Sequence, residues 1–412
     1  MIAFLLLAQL QIAPPPAAAS GASGAIDPAA ATRAYIDLLP AADREKSNHY
    51  FEGGYWLDLV DFIWGAGVML LLLYTGASRK MRALAGRFAP RPLQTAAYWL
   101  QFLLATTLLT FPLTVHRDYF REHHYGLSNL TFPAWLGEQG KGLLVGLIFG
   151  GLALTALYAV VRRVPRTWWI WGAAVAIAFL AFGQMIFPVA ILPLFNSPKK
   201  LGDQRVVAPI LTLARANGIQ AQEVWEVDAS KQSKRMSANV SGLGQTMRIT
   251  LNDNLLARAS LPEIEAVMGH EMGHYVLNHI YKGLLEFGVI IALGFALLGW
   301  AFEKLRAKWG IEGVGDVAGL PLAALLFSAY FFLLTPVTNS IVRAQEQEAD
   351  MYGLNASRQP DGFAWAALHL SEYRKLEPGP LEEVFFYDHP SGYGRIYAAM
   401  RWKAEHPETW KR

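Results

Sequence analysis

The sequence predicts a mainly α-helical protein that crosses a membrane several times, with a small α+β domain inserted between the membrane helices. Three observations predict it. Of 412 residues, 53% are hydrophobic and only 17% charged, more apolar surface than a water-soluble core needs to bury. Six apolar stretches are long enough to cross ~30 Å of hydrocarbon as helices, at 55–75, 95–115, 143–161, 167–190, 283–303 and 316–338. Between the fourth and the fifth the apolar pattern stops, and a mixed segment carries the run His270-Glu271-Met272-Gly273-His274.

Taken in chain order, Ile2 to Ala13 is apolar but too short to span, and Pro14-Pro15-Pro16 and a run of small residues follow it. Residues 1–20 read as a secretory signal with a small-residue cleavage site, although the usual positive start is missing. Residues 21–195 then form a membrane domain of four spans. The first span contains Asp58 and Asp61, and a carboxylate at membrane depth is costly unless it faces protein or a water-filled cavity. The pair therefore sits either at the interface or on the wall of an interior chamber. Basic residues follow the first span (Arg79, Lys80, Arg82, Arg87, Arg91), the third (Arg162, Arg163, Arg166) and the fifth (Lys304, Arg306, Lys308). Loops rich in Lys and Arg stay in the cytoplasm, which places the loop after span two, residues 196–282 and everything after span six on the periplasmic side.

Residues 196–282 form the inserted domain. Gly242 and Gly244 lie between β-prone runs from Ala238 to Leu251, a pattern that predicts a hairpin whose edge accepts an extended peptide as an added strand. Leu261-Pro262-Glu263-Ile264-Glu265 then reads as a helix start, with proline in the first turn, early carboxylates and apolar residues at helical spacing behind them. His270 and His274 are thus one turn apart on one face, spaced to hold a single metal ion, with Glu271 beside them. Two imidazoles with a carboxylate favour Zn2+, and a carboxylate in hydrogen-bond reach of water takes its proton as a peptide carbonyl is attacked. These residues predict a zincin-like metallopeptidase domain with Glu271 as general base. His279 falls out of phase on a continuing helix, so it reads as a surface residue or one that touches a ligand from behind.

A catalytic zinc site needs a third protein ligand, and a chain without cysteine must supply it from His, Glu or Asp. The polar, helical run Arg343 to Asp350 follows the last span and places Glu346 and Asp350 one turn apart. Glu346 is suited to ligate, and Asp350 to accept from the free ring nitrogen of a ligating histidine and fix its tautomer. A solvated helix end just outside a membrane is the competing reading. Residues 283–340 hold the last two spans, and 341–412 a helical C-terminal part containing this run and His389-Pro390. Followed by Ser391-Gly392-Tyr393-Gly394, the His-Pro pair reads by itself as a turn.

Pro193-Leu194-Phe195-Asn196, Val227-Asp228-Ala229-Ser230-Lys231, Arg248 to Leu256, the His270 to His274 run, Arg343 to Asp350, and His389-Pro390 with Arg395 form one ordered series. From about Thr32 onward the chain resembles the Ste24-type CAAX prenyl protease family (M48) of membrane zinc metallopeptidases. The resemblance implies zinc ligands His270, His274 and Glu346, general base Glu271, and Asp350 supporting a ligand from behind. It also implies that His389 and Arg395 hold substrate or the developing oxyanion, a role suited to an imidazole or guanidinium donor. Ser237, Ala238 and Asn239 fall where the family pairs with substrate, and Ser237 replaces the asparagine usual there, which puts the substrate register in question. Further, the resemblance implies a helical bundle enclosing a chamber, a loop at 124–133 near its mouth, and an active site on the cytosolic side, against the charge pattern. The adjacent histidines beside that loop point apart and predict no second metal.

The function expected is that of a zinc-dependent integral membrane endopeptidase acting on membrane-associated or lipid-modified peptides and proteins. CAAX cleavage is what the resemblance implies. The Ala- and Gly-rich composition and signal-like start suggest a bacterial inner membrane, where prenylated partners are not expected, so quality control of membrane proteins by a heat-shock zincin type is the alternative. A non-catalytic membrane scaffold would show a broken ligand set, and here the set is whole. A net charge of +3 without a basic, aromatic-interleaved stripe excludes nucleic acid as partner, and the lack of cysteine excludes disulfides and thiolate metal sites.

Overall fold

The computed structural model describes residues 26–88, 90–242 and 247–409, and six helices in it are long and apolar enough to cross a membrane, one for each apolar stretch. The signal-like segment 1–20 and Gly244 lie outside the described residues. A short helix, α1 (Pro28–Ile36), starts where the Asp27 carboxylate accepts the Ala29 N–H. Next come the first span α2 (Ala41–Tyr74), the short α3 (Ala77–Ala85), and spans α4 (Arg91–His124), α5 (Phe132–Arg163) and α6 (Trp168–Phe195). Leucines point away from the bundle: Leu108 is 74% exposed and Leu333, on the last span, 76%. Exposed to water, each would forgo about 1.5–3 kcal/mol of burial; within a bilayer these faces meet lipid.

The spans outrun the apolar stretches that predict them because tertiary contacts extend them. The polar beginning of α2 is fixed by Ser47 Oγ donating to the Arg374 carbonyl (3.1 Å) and by Tyr55 Oη donating to Glu382 (2.7 Å). Asp61 is ion-paired with Arg117 of α4, and Asp58 lines two adjoining cavities of 550 and 440 Å³ that share Tyr50, Gly54 and Arg121. Both aspartates therefore face protein or interior space. The loop at 124–133 docks on the inserted domain: the Asn129 N–H donates to the Gln232 carbonyl (3.0 Å) and Asn129 Nδ2 to Ser230 (2.7 Å). His123 Nδ1 and Nε2 lie 2.7 and 2.8 Å from the carbonyls of Tyr119 and Leu130, which ties the ring to the loop itself.

The inserted domain runs through β1 (Lys199–Lys200), α7 (Gln204–Ala216), β2 (Val224–Val227), β3 (Ala238–Ser241), β4 (Arg248–Asn252), α8 (Asp253–Arg258) and α9 (Leu261–Val276). The sheet order is β1-β2-β4-β3, with β2 and β4 parallel and the other pairs antiparallel. Val224, Ile249 and Leu251 point inward and pack with Met268 and Met272 of α9, so the helix bearing the histidines forms the floor of the sheet. The expected hairpin is present as β3 and β4, with Ala238 opposite Leu251 and Asn239 opposite Thr250, and β3 is an edge strand.

The chain re-enters the bundle as α10 (His279–Trp309) and α11 (Val317–Ser357) and ends in α12 (Pro360–Leu370), α13 (Pro380–Phe386) and α14 (Gly392–Glu405). One helix, α11, carries both the last span and the Arg343 to Asp350 run. It lies unusually close to α9: a Cβ on Gly353 would come within 2.7 Å of the His270 backbone nitrogen, and one on Gly273 within 3.1 Å of Ala349. Only small residues permit this approach, and it turns the histidine face of α9 onto Glu346 and Asp350.

Candidate metal centre

Helix α9 starts by local rules: the Ser260 N–H and Oγ each donate to Glu263 Oε2 at 2.7 Å, and His369 Nδ1 lies 2.7 Å from Glu263 Oε1. This fixes the helix against α12 and sets the rotation of the residues two turns later. His270 Nε2 and His274 Nε2 lie 3.1 Å apart, and each is 3.3 Å from an oxygen of Glu346. All three donors fall within 4.8 Å of one another. Ligands about 2.0–2.1 Å from a tetrahedral ion sit about 3.3 Å from each other, so the spacing fits one metal.

Two further observations support that fit. Glu346 is 7% exposed and faces three imidazoles, with His270 Nε2 and His389 Nε2 at 3.3 and 3.1 Å from its Oε2 and His274 Nε2 at 3.3 Å from its Oε1, so its buried carboxylate meets nitrogen atoms that a metal ion also binds. The cluster also holds three carboxylates, Glu271, Glu346 and Asp350, against one guanidinium, Arg395, an excess of acidic groups that favours a bound cation. Burial pushes the His270 imidazole down, but its hydrogen bonds with Asp350 and Glu346 outweigh this and lift it to about 9. Burial also raises the Glu271 carboxyl, an effect His270 and His274 temper.

Asp350, 3% exposed, accepts from His270 Nδ1 at 2.8 Å and is itself clasped by Arg395, whose Nε and Nη2 lie 2.9 and 2.5 Å from its two oxygens. Arg395 thus reaches the centre through Asp350, with Nη2 also 3.4 Å from His270 Nδ1. His389 Nε2 stands 3.1 Å from Glu346 Oε2, with its Nδ1 2.7 Å from Asp388. A cavity of about 180 Å³ opens beside these groups and is lined by Glu271, His389 and Arg395 on one side and by Ser237 and Ala238 on the other. Asn239 stays outside that lining. The Ser237 N–H donates to Asn252 Oδ1 (3.1 Å) and its carbonyl accepts the Asn252 N–H (3.0 Å). Because backbone groups alternate sides along a strand, Ser237 faces inward, and Ala238 and Val240 present theirs to the open edge.

His279 shows where phase reasoning fails. It assumes that the helix continues, but α9 ends at Val276 and Asn278 takes φ +59°, a left-handed conformation that asparagine tolerates. The chain swings back and buries His279 at 4% exposure, its Nδ1 2.9 Å from His274 Nδ1 and its Nε2 3.1 Å from Glu348. Of the two readings open for His279, contact with His274 from behind is the observed one. Glu348 carries no signal in the sequence because, two residues from Glu346, it points away from the Glu346 face of α11.

Residues 200–403 match the family model of peptidase family M48, and 29–197 match the model described as the CAAX prenyl protease N-terminal region with five membrane helices. Four of the helices described in that stretch are long and apolar enough to span. The chain is 32% identical over 341 residues to the uncharacterized metalloprotease YhfN of Bacillus subtilis, covering 81% of this chain and 80% of that protein. It is 27% identical over 317 residues to CAAX prenyl protease 1 of Saccharomyces cerevisiae, covering 71% and 69%. Among solved structures, S. mikatae Ste24p superposes with a TM-score of 0.74 over 88% of this chain and 90% of that one, at 22% identity.

Proposed function

This chain belongs to peptidase family M48 as a Ste24-type membrane metalloendopeptidase, and from that premise we propose that Zn2+ held by His270, His274 and Glu346 serves the hydrolysis of membrane-associated or lipid-modified peptides. The observation that carries this reading is the convergence of two imidazoles and a buried carboxylate from two helices. A divalent ion bound there supplies Lewis acidity to the peptide carbonyl and acidifies water. Glu271 accepts the proton of the attacking water and delivers it to the departing nitrogen, and its burial strengthens its hold on that proton. His389, on the wall of the same cavity, donates to the oxygen that gains charge. Arg395 acts by holding Asp350, which holds His270.

The substrate lies along the outer edge of β3, pairing with the backbone of Ala238 and Val240, so that selection falls on its side chains and termini. CAAX peptides are the proposed class by likeness to the yeast relative. The charge pattern favours the periplasmic side for the site, against the cytosolic side that likeness to the family implies, and a reporter fused after Arg412 that is active only in the cytoplasm overturns the periplasmic reading.

The test is hydrolysis of a quenched fluorescent peptide, with and without a C-terminal prenylcysteine, by protein purified in detergent, with zinc counted per chain. The expected result is one zinc in wild type and in Glu271→Gln, with turnover lost by about 10²–10⁴-fold in the variant. Wild type without metal, or a Glu271→Gln variant that turns over normally, refutes the assignment.

A further inference from the structure

The edge strand β3 is fastened to the membrane bundle where it begins. Arg235, two residues before Ser237, donates from Nη2 to Glu122 Oε2 of α4 (2.7 Å) and to Tyr50 Oη of α2 (2.8 Å), and Tyr50 Oη donates to Glu122 Oε1 (2.6 Å). The three side chains close a ring on the wall of the 550 Å³ cavity. The main chain of Arg235 is held as firmly: its carbonyl accepts Asn252 Nδ2 at the end of β4 (2.7 Å) and Asn254 Nδ2 of α8 (3.1 Å). Just before it, the Lys234 N–H donates to the Leu127 carbonyl (3.1 Å), and Ser233 forms an antiparallel bridge with Ser128 in the loop at 124–133. The next three residues, Met236, Ser237 and Ala238, line the 180 Å³ cavity beside Glu271.

One ion pair and one hydroxyl thus join two spans to the strand that takes substrate. The side chain of Glu122 is 14% exposed, so little water screens the pair. The core of the inserted domain is apolar and built on β2, β4 and α9, and what the ring adds to it is position, because it fixes where β3 begins relative to the bundle. Backbone pairing by itself selects no register, since each residue of an extended peptide offers a donor and an acceptor. A substrate held by the bilayer is measured from the membrane, so the offset between β3 and the spans chooses the bond that is cut. We infer that Arg235, Glu122 and Tyr50 are positioning residues: they set the height of β3 against the bundle, and thereby which peptide bond of a membrane-held substrate reaches Glu271. The inference rests on the peptidase reading, with β3 as the substrate edge, and deepens it.

The experiment uses the full-length chain in detergent and the peptide with a C-terminal prenylcysteine, with products identified by mass spectrometry. Wild type is expected to cut mainly one bond. In Glu122→Gln a second product displaced by two residues is expected, because a slip of two keeps each side chain on its own face of the strand. In the same variant kcat/KM falls about tenfold, the loss of one charge-assisted contact, and the fall is carried by KM. Arg235→Gln is expected to give the same products, and the double variant to be no worse than either, since members of one unit are not additive. Metal per chain stays as in wild type. If Glu122→Gln is not recovered folded, Tyr50→Phe, which keeps the aromatic ring and loses the hydroxyl, is read in the same way. An unchanged cleavage position and KM, fully additive losses, or activity lost together with the metal overturns the inference. Hydrogen exchange of residues 236–241 is expected to quicken in the same variants, and unchanged exchange overturns it too. A wild type that hydrolyses no peptide refutes the peptidase reading, and the exchange of that segment then still decides whether the ring holds β3.

Discussion

The two imidazoles that face Glu346 are supported in opposite ways. Behind His270 lies a dry ion pair: Asp350, 3% exposed, held at two points by Arg395, which is itself 9% exposed. Behind His274 lies a second imidazole, His279, then Glu348, whose side chain is 51% exposed and pairs with Lys282 at 2.7 Å. One imidazole is anchored in the interior by charges that water cannot screen. The other is anchored by a chain of hydrogen bonds that ends at the surface. The same distance of about one hydrogen bond from an imidazole therefore corresponds to very different energies, because the dielectric surroundings differ.

That contrast orders the expected effects. Asp350→Asn should be the most damaging: it weakens the hold on His270, with about 10–100-fold loss of metal affinity, and it leaves Arg395 buried beside a neutral amide, at a cost of about 3–5 kcal/mol. Chelator competition and thermal unfolding in detergent measure the two parts separately, and a variant melting like wild type would break the comparison. His279→Asn should cost metal affinity by about tenfold with little change in melting, since it removes a neutral support and strands no charge. Should it weaken metal binding as much as Asp350→Asn does, the two sides are equivalent after all. Glu348→Gln should be mildest, within about 1 kcal/mol in stability and with near-normal metal binding, and raising the salt concentration should shrink even that difference.

Much of this was legible in the sequence because it depends on short-range regularities. The six spans show as long apolar runs, the helix start at Ser260 follows from the proline and glutamate after it, and the pairs His270/His274 and Glu346/Asp350 each lie one turn apart. The hairpin edge was also foreseen, although the inward-facing backbone of Ser237 leaves the open edge to Ala238 and Val240. His279 defied phase reasoning because a single left-handed residue, Asn278, broke the helix.

By itself the sequence determined that the chain crosses a membrane, that a helix presents two imidazoles and a carboxylate suited to a metal, and that a pair of carboxylates, Glu346 and Asp350, lies one turn apart on a later helix. These follow from the period of the helix and the thickness of hydrocarbon, which act over a few residues. Tertiary structure decided that α9 and α11 touch where Gly273 and Gly353 permit, which brings Glu346 to the histidines. It also decided that Arg395, 125 positions beyond His270, closes the buried side of the cluster. Such choices rest on contacts between distant segments, where close packing and the burial of charge select one arrangement, and no local pattern encodes them.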